Sequence, residues 1–290
     1  MLPKIDKFDS LEEFISYLEN PNAVRIDRES DGNNEMWSGS KNFASAVEIS
    51  RKGVDIERIQ SELDKIPFTG NKDYLPEHNV SGAVVDVAAF LEGIPENMVD
   101  FPYQDDVHFV DVVVDIGELA SVSAEVFKNK AIAAALLVND LESHGYRAAV
   151  WVGNFQRQGY NLKGEGQRGP QGYGFYHHTL INVKRHREAL SLGQLAGCLH
   201  PSFYRRMTFR HYEIMYGGHG LKVPYGYGQQ ISTKSELDWV KENAFDTEPI
   251  LLPNSRLMTV YGVNFDLNKI EGAMEWAYYY ASEHITKKQP

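Results

Sequence analysis

Residues 107–114 read Val-His-Phe-Val-Asp-Val-Val-Val, a nearly continuous β-branched run of the kind found in a strand covered on both faces. The run stops at Asp115-Ile116-Gly117. An alanine-rich stretch at helical spacing follows over about 119–143 and is closed by Gly145. Ala148, Val150 and Val152 then alternate as a second strand. Strand, helix and strand in so short a span predict a right-handed βαβ unit. The fold class is therefore α/β, with a mixed, mostly parallel sheet flanked by helices.

The rest of the chain hangs on that unit. Ser10-Leu11-Glu12-Glu13 has the form of a capping box and opens an apolar-periodic helix that ends before Pro21. With the polar stretch to Asn34 it forms an N-terminal helical arm and linker, residues 1–34. Residues 35–68 hold two short helical patterns, one stopped by Gly53 and one ending before Pro67, expected as a helical hairpin. Residues 69–290 form the α/β domain. Within it we expect strands at Val80–Val87, Tyr176–Lys184 and Leu257–Val263, helices at Leu190–Leu199 and Ser202–Tyr216, and a C-terminal helix capped by Asp266.

Charge is spread unevenly. The chain carries 29 Lys and Arg against 40 Asp and Glu, yet residues 147–228 hold 11 basic and only 3 acidic side chains. The same stretch has 13 of the 34 aromatic residues, 14 of the 24 glycines and 6 of the 10 histidines. We therefore treat about 155–228 as a basic-aromatic insertion. Unpaired bases need aromatic platforms for stacking and cations for their phosphates, and this insertion supplies both. The candidate nucleic-acid contacts are Arg157, Lys163, Arg168, Lys184, Arg185, Arg187, Arg205, Arg206 and Arg210 for phosphates, with Tyr173, Phe175, Tyr204 and Tyr212 for stacking. Nothing resembles a helix-turn-helix, a zinc finger or a basic zipper, so single strands are expected rather than duplex.

Other chemistry has less to stand on. Cys198 is the only cysteine, which excludes an intrachain disulfide framework and a multi-thiolate zinc site. Adjacent strand residues point to opposite faces, so His177 and His178 do not chelate one ion together, and no histidine pair has a two-ligand helical spacing. No metal site and no catalytic residue is expected among the histidines. An alternative Mg²⁺ site would use Asp115 at a strand end with Ser121 and Ser123 reaching back to it. An enzymatic alternative is a nuclease that uses Asp111 and Asp115.

Asp115-Ile116-Gly117-Glu118 resembles the metal-adhesion motif of von Willebrand factor A-type domains, Asp-x-Ser-x-Ser, with Gly117 and Leu119 standing where the serines belong. More widely, Trp37-Ser38-Gly39-Ser40, Phe43-Ala44-Ser45-Ala46 and Phe90-Leu91-Glu92-Gly93-Ile94-Pro95-Glu96-Asn97-Met98 resemble a family carried by tailed phages and plasmids, over most of residues 37–283. That resemblance implies a von Willebrand A-like α/β part. It also brings in the podovirus cofactors that bind single-stranded DNA and recruit a phage RNA polymerase.

The expected function is thus a non-enzymatic protein of phage type that binds single-stranded DNA or RNA without a cofactor. It would assist transcription or replication, with a phage RNA polymerase or replication protein as partner. The alternative is a protein-interaction module with a degenerate metal-adhesion site. Attraction between acidic and basic segments adds a homo-oligomer to the expectations. No apolar run approaches the roughly 18 residues that span a bilayer. The opening lacks the order of a signal peptide, so no membrane contact and a cytoplasmic location, that of the host cell, are expected.

Overall fold

The valine run lies inside a mixed sheet in the computed structural model, which describes residues 4–26, 29–54, 56–65, 77–82, 84–100, 108–157, 176–218, 223, 229–231, 233–255 and 264–288. In chain order the first elements are β1 (Lys4–Phe8), α1 (Leu11–Leu18), α2 (Glu35–Ser38), α3 (Phe43–Lys52) and α4 (Ile56–Asp64). Next come β2 (Glu77–Asn79), β3 (Val84–Val85), α5 (Val87–Leu91) and β4 (Met98–Asp100), then β5 (His108–Asp115), α6 (Ala124–Ser143), β6 (Tyr146–Arg157) and β7 (Tyr176–Lys184). Last are α7 (Leu192–Cys198), a π-helical stretch Phe203–Thr208 that runs into α8 (Phe209–Gly218), β8 (Gln229–Gln230), α9 (Lys234–Ala244), β9 (Ile250–Leu252) and α10 (Ile270–Lys288).

The main sheet has the order β1-β7-β6-β5-β9, with β8 paired to the end of β6. β5 is parallel to β6 and to β9, β6 and β7 are antiparallel, and β1 runs parallel to β7. The β5–α6–β6 unit is the one its sequence predicts. Val112, Val113 and Val114 are wholly buried because both faces of β5 are covered. Burial of each such side chain contributes about 1.5–3 kcal/mol. On one face Val112, Val114, Val150, Val152 and Ile181 share a core with α1, α6, α7 and α8. On the other, Val113, Trp151, Phe155, Leu180 and Leu251 pack against Leu237 and Val240 of α9. The long helix α6 is alanine-rich because Ala131, Ala133, Ala134 and Ala135 are all buried, between the sheet and the neighbouring helices.

Several expectations change. Residues 4–8 are the edge strand of the main sheet, and Leu11, Phe14, Ile15 and Leu18 of α1 are in its core, so the N-terminal segment is built into the domain. The capping box is half formed. Ser10 Oγ accepts from Glu13 N, but the Glu13 carboxylate takes the Asp9 N–H instead of that of Ser10. Helices α3 and α4 pack on α7 and α6 rather than forming a separate hairpin. Gly197 makes that approach feasible: a Cβ there would lie 2.2 Å from Ile49 O. The strand expected at 80–87 shrinks to β3 in a small separate sheet of order β2-β4-β3. The strand expected at 257–263 lies outside the described residues, while β9 forms a few residues before it. Among the described residues no helix is long and apolar enough to cross a membrane.

Candidate functional site

The basic-aromatic block does not form an open trough. Arg206 is 1% exposed, and its guanidinium donates to Ser40 Oγ at 2.8 Å, Ser30 O at 2.9 Å, Gly32 O at 2.9 Å and Ser40 O at 2.5 Å. Arg205 donates to Trp37 O and to Val122 O at 2.9 Å, and lies 4.9 Å from the centre of the Trp37 ring. Arg210 donates to Leu18 O at 3.0 Å and stacks 3.9 Å over Phe43. Lys184 is buried against Glu142 at 2.7 Å. Tyr204 and Tyr212 are core residues, and Tyr204 gives its hydroxyl proton to Glu118 O at 3.0 Å.

Lys184, Tyr204, Arg205, Arg206 and Tyr212 are therefore internal, and Arg210 is nearly so. Tyr204, Arg205 and Arg206 act as braces that satisfy carbonyls of the segment between α1 and α3 and of the turn after β5. This corrects the placement of all these residues as phosphate and base contacts. Arg185 and Arg187 are exposed. Lys163, Arg168, Tyr173 and Phe175 lie outside the described residues, and of Arg157 only the backbone, at the end of β6, is described.

The Asp115 site is also corrected. Its carboxylate is wholly buried, accepting from Gly117 N at 2.8 Å and from Asn254 Nδ2 at 2.6 Å. The buried Lys130 ammonium donates to Asp115 O at 2.8 Å and to Glu118, so a positive charge already sits beside this strand end. A Cβ at Gly117 would lie 3.0 Å from Asp115 Oδ1 and 3.1 Å from Asn154 Oδ1, so a serine there would require both side chains to give way. Ser121 and Ser123 are exposed and line a groove with Ser255 and Asn268 that Asp115 does not reach. Burial raises the Asp115 carboxyl to about 7 despite the opposing Lys130 charge. Asp111, the second acid of the nuclease alternative, accepts the Trp151 indole N–H at 2.8 Å. Cys198 is fully buried, as expected.

What the fold does assemble is a pair of histidines on one carboxylate. His177, near the start of β7, faces α8, whereas His178 faces the other layer, 5.7 Å from Trp239. The opposite-face expectation for this pair holds. The partner it overlooks is His211, on α8. His211 Nε2 lies 3.1 Å from Asp6 Oδ2 of β1. His177 Nε2 lies 3.1 Å from the same oxygen, without the alignment of a hydrogen bond. The three ligand atoms are within 4.8 Å of one another.

This centre is nearly dry. The His211 side chain is 0% exposed, His177 6% and Asp6 18%, and the rings of Phe8, Phe14 and Tyr17 lie 5.4–5.9 Å from His211. Burial pushes the Asp6 carboxyl up, but its contacts with the two imidazoles hold it well below the ordinary carboxylate range. Thr179 Oγ1 is 3.0 Å from His211 Nδ1. If that nitrogen donates to the hydroxyl, the Nε2 lone pair is directed toward Asp6, which is how an outer partner orients a metal-ligating histidine. Two nitrogen lone pairs and a carboxylate oxygen repel one another unless protons or a cation lie between them. Imidazole and carboxylate donors in this number suit a first-row divalent ion such as Zn²⁺, Co²⁺ or Fe²⁺.

A family model described as a domain of unknown function (DUF7192) matches residues 4–264, a span that includes Asp6, His177 and His211, and the chain belongs to that family. No curated protein and no solved structure matches it.

Proposed function

We propose that this DUF7192 member is a metal-binding protein that holds one divalent first-row transition ion between Asp6, His177 and His211. The observation that carries the reading is the convergence of two buried imidazole Nε2 atoms, each at 3.1 Å, on a single carboxylate oxygen. The ion would join β1, β7 and α8, so binding energy becomes folding energy. Titration of Zn²⁺ into the metal-free full chain should show one site. His177→Ala and His211→Ala should each weaken it by more than about 100-fold, beyond what loss of an outer partner costs. At free Zn²⁺ near 100 times Kd, stability should rise by about 2.7 kcal/mol. Wild-type-like titrations in both variants would remove the reading.

A second reading, binding of single-stranded nucleic acid with recruitment of a phage RNA polymerase, rests on a smaller surface than the sequence suggests. Its support is the exposed Arg185 and Arg187, with the Arg187 guanidinium 5.9 Å from the ring of Phe109, itself 45% exposed. The resemblance to phage proteins also favours it, and with it we propose that the part built on β5–α6–β6 is von Willebrand A-like. In anisotropy titrations with a labelled oligonucleotide, Arg185→Ala with Arg187→Ala should lower the salt slope by about 2. Binding that ignores both salt and these substitutions would count against this surface.

A further inference from the structure

One buried polar atom next to the histidines, Gln156 Oε1, lacks any hydrogen-bond partner, and Tyr212 Oη beside it meets only the Thr179 side chain, without the alignment of a hydrogen bond. Gln156 is 3% exposed and Tyr212 2%. Gln156 on β6 stands directly opposite His177 in the antiparallel register, and such a pair projects its side chains from the same face. The Gln156 amide is held in place by its nitrogen, which donates to Asn154 Oδ1 at 2.8 Å and to Tyr204 Oη at 3.3 Å, leaving the oxygen as the open end. The Tyr212 ring meets the His177 ring edge-on at 5.5 Å. A buried carbonyl oxygen without a partner is uncommon, and an ion or water is a usual explanation.

These atoms complement what the three ligands leave undone. Three protein donors on a first-row ion leave at least one coordination position, which in open centres holds water. A bound water offers two protons and a lone pair, enough to donate to Gln156 Oε1 and to exchange a hydrogen bond with Tyr212 Oη. We propose that the ion at Asp6, His177 and His211 carries a water, replaceable by a small monoanion, seated against Gln156 and Tyr212. This rests on the metal-binding reading, and it makes the centre an open one rather than a closed structural clamp. The nearly complete burial of His177 and His211 restricts the ligand to a few atoms.

The test uses the full chain loaded with Co²⁺, whose visible absorption reports coordination, and azide as the monoanion. Azide should shift the Co²⁺ bands saturably. Tyr212→Phe should keep Co²⁺ bound while weakening the azide response by about tenfold, the lower range for loss of an outer-shell partner. Circular dichroism of the variant checks that it folds. A Co²⁺ spectrum that saturating azide leaves unchanged would overturn the open site and leave the metal reading standing. Absence of any Co²⁺ spectrum would overturn both. An azide response identical in wild type and Tyr212→Phe would remove Tyr212 from the site.

Discussion

Arg206→Ala is expected to destabilise the chain by about 3–5 kcal/mol, a large part of the stability of an ordinary domain. The reason is where its partners sit. The guanidinium gathers the carbonyls of Ser30, Gly32 and Ser40 with the Ser40 hydroxyl, and each bond ties the loops between α1 and α3 to the π-helical stretch. Alanine removes the donors but not the acceptors, and each buried carbonyl left unpaired costs about 1–3 kcal/mol. No neighbouring group replaces a five-donor fork at that depth. Urea unfolding at neutral pH measures the effect, with Arg185→Ala as the exposed comparison, expected within about 0.5 kcal/mol of wild type. If Arg206→Ala were as stable as wild type yet bound oligonucleotide more weakly, its role as an internal brace would fail and the residue would return to the nucleic-acid surface.

The same arginine shows how far residue patterns carry. The helix over 202–216 is legible because Phe203, Met207 and Ile214 recur at turn spacing, and these side chains are indeed buried. The destination of Arg205, Arg206 and Arg210 is not legible. A guanidinium satisfies backbone carbonyls as well as phosphates, and its stem packs like an apolar chain, so a charge count gives the same value for a surface groove and an internal brace. The βαβ unit is plain from its two periods, whereas β9 is too short, between Pro249 and Pro253, to stand out from a loop.

The proposed metal centre would draw its ligands from three distant elements. His177 lies 34 residues before His211, and Asp6 sits near the opposite end of the chain. Only the pairing of β1 with β7 and the packing of α8 bring them together. One signal was available. His177 and His178 cannot both face the core layer of α8, so one histidine of the pair had to be buried there and needed a polar partner.

Asp115→Asn is expected to change how stability depends on pH more than any surface substitution. The folded carboxyl holds its proton up to about pH 7, raised by burial, against 3.8 for the free group. Below about pH 4 both folded and unfolded chains are protonated there, and the stability this group confers is fully present. As pH rises toward 7 the unfolded chain releases the proton and the folded one does not, so stability falls. The accumulated loss is up to about 4 kcal/mol at about 1.4 kcal/mol per pKa unit. Asparagine has no proton to lose and still offers an oxygen to Gly117 N, while the Asn254 amide turns to accept. The variant should therefore gain on wild type by up to about 4 kcal/mol between about pH 4 and 7. A stability difference that stays constant over that range would show that Asp115 is ionised inside the fold. Mg²⁺ separates the two cases: with Lys130 donating to the Asp115 carbonyl and to Glu118, it should leave both unfolding curves unmoved. A Mg²⁺-dependent rise confined to wild type would restore the strand-end cation site and place an ionised carboxylate in it.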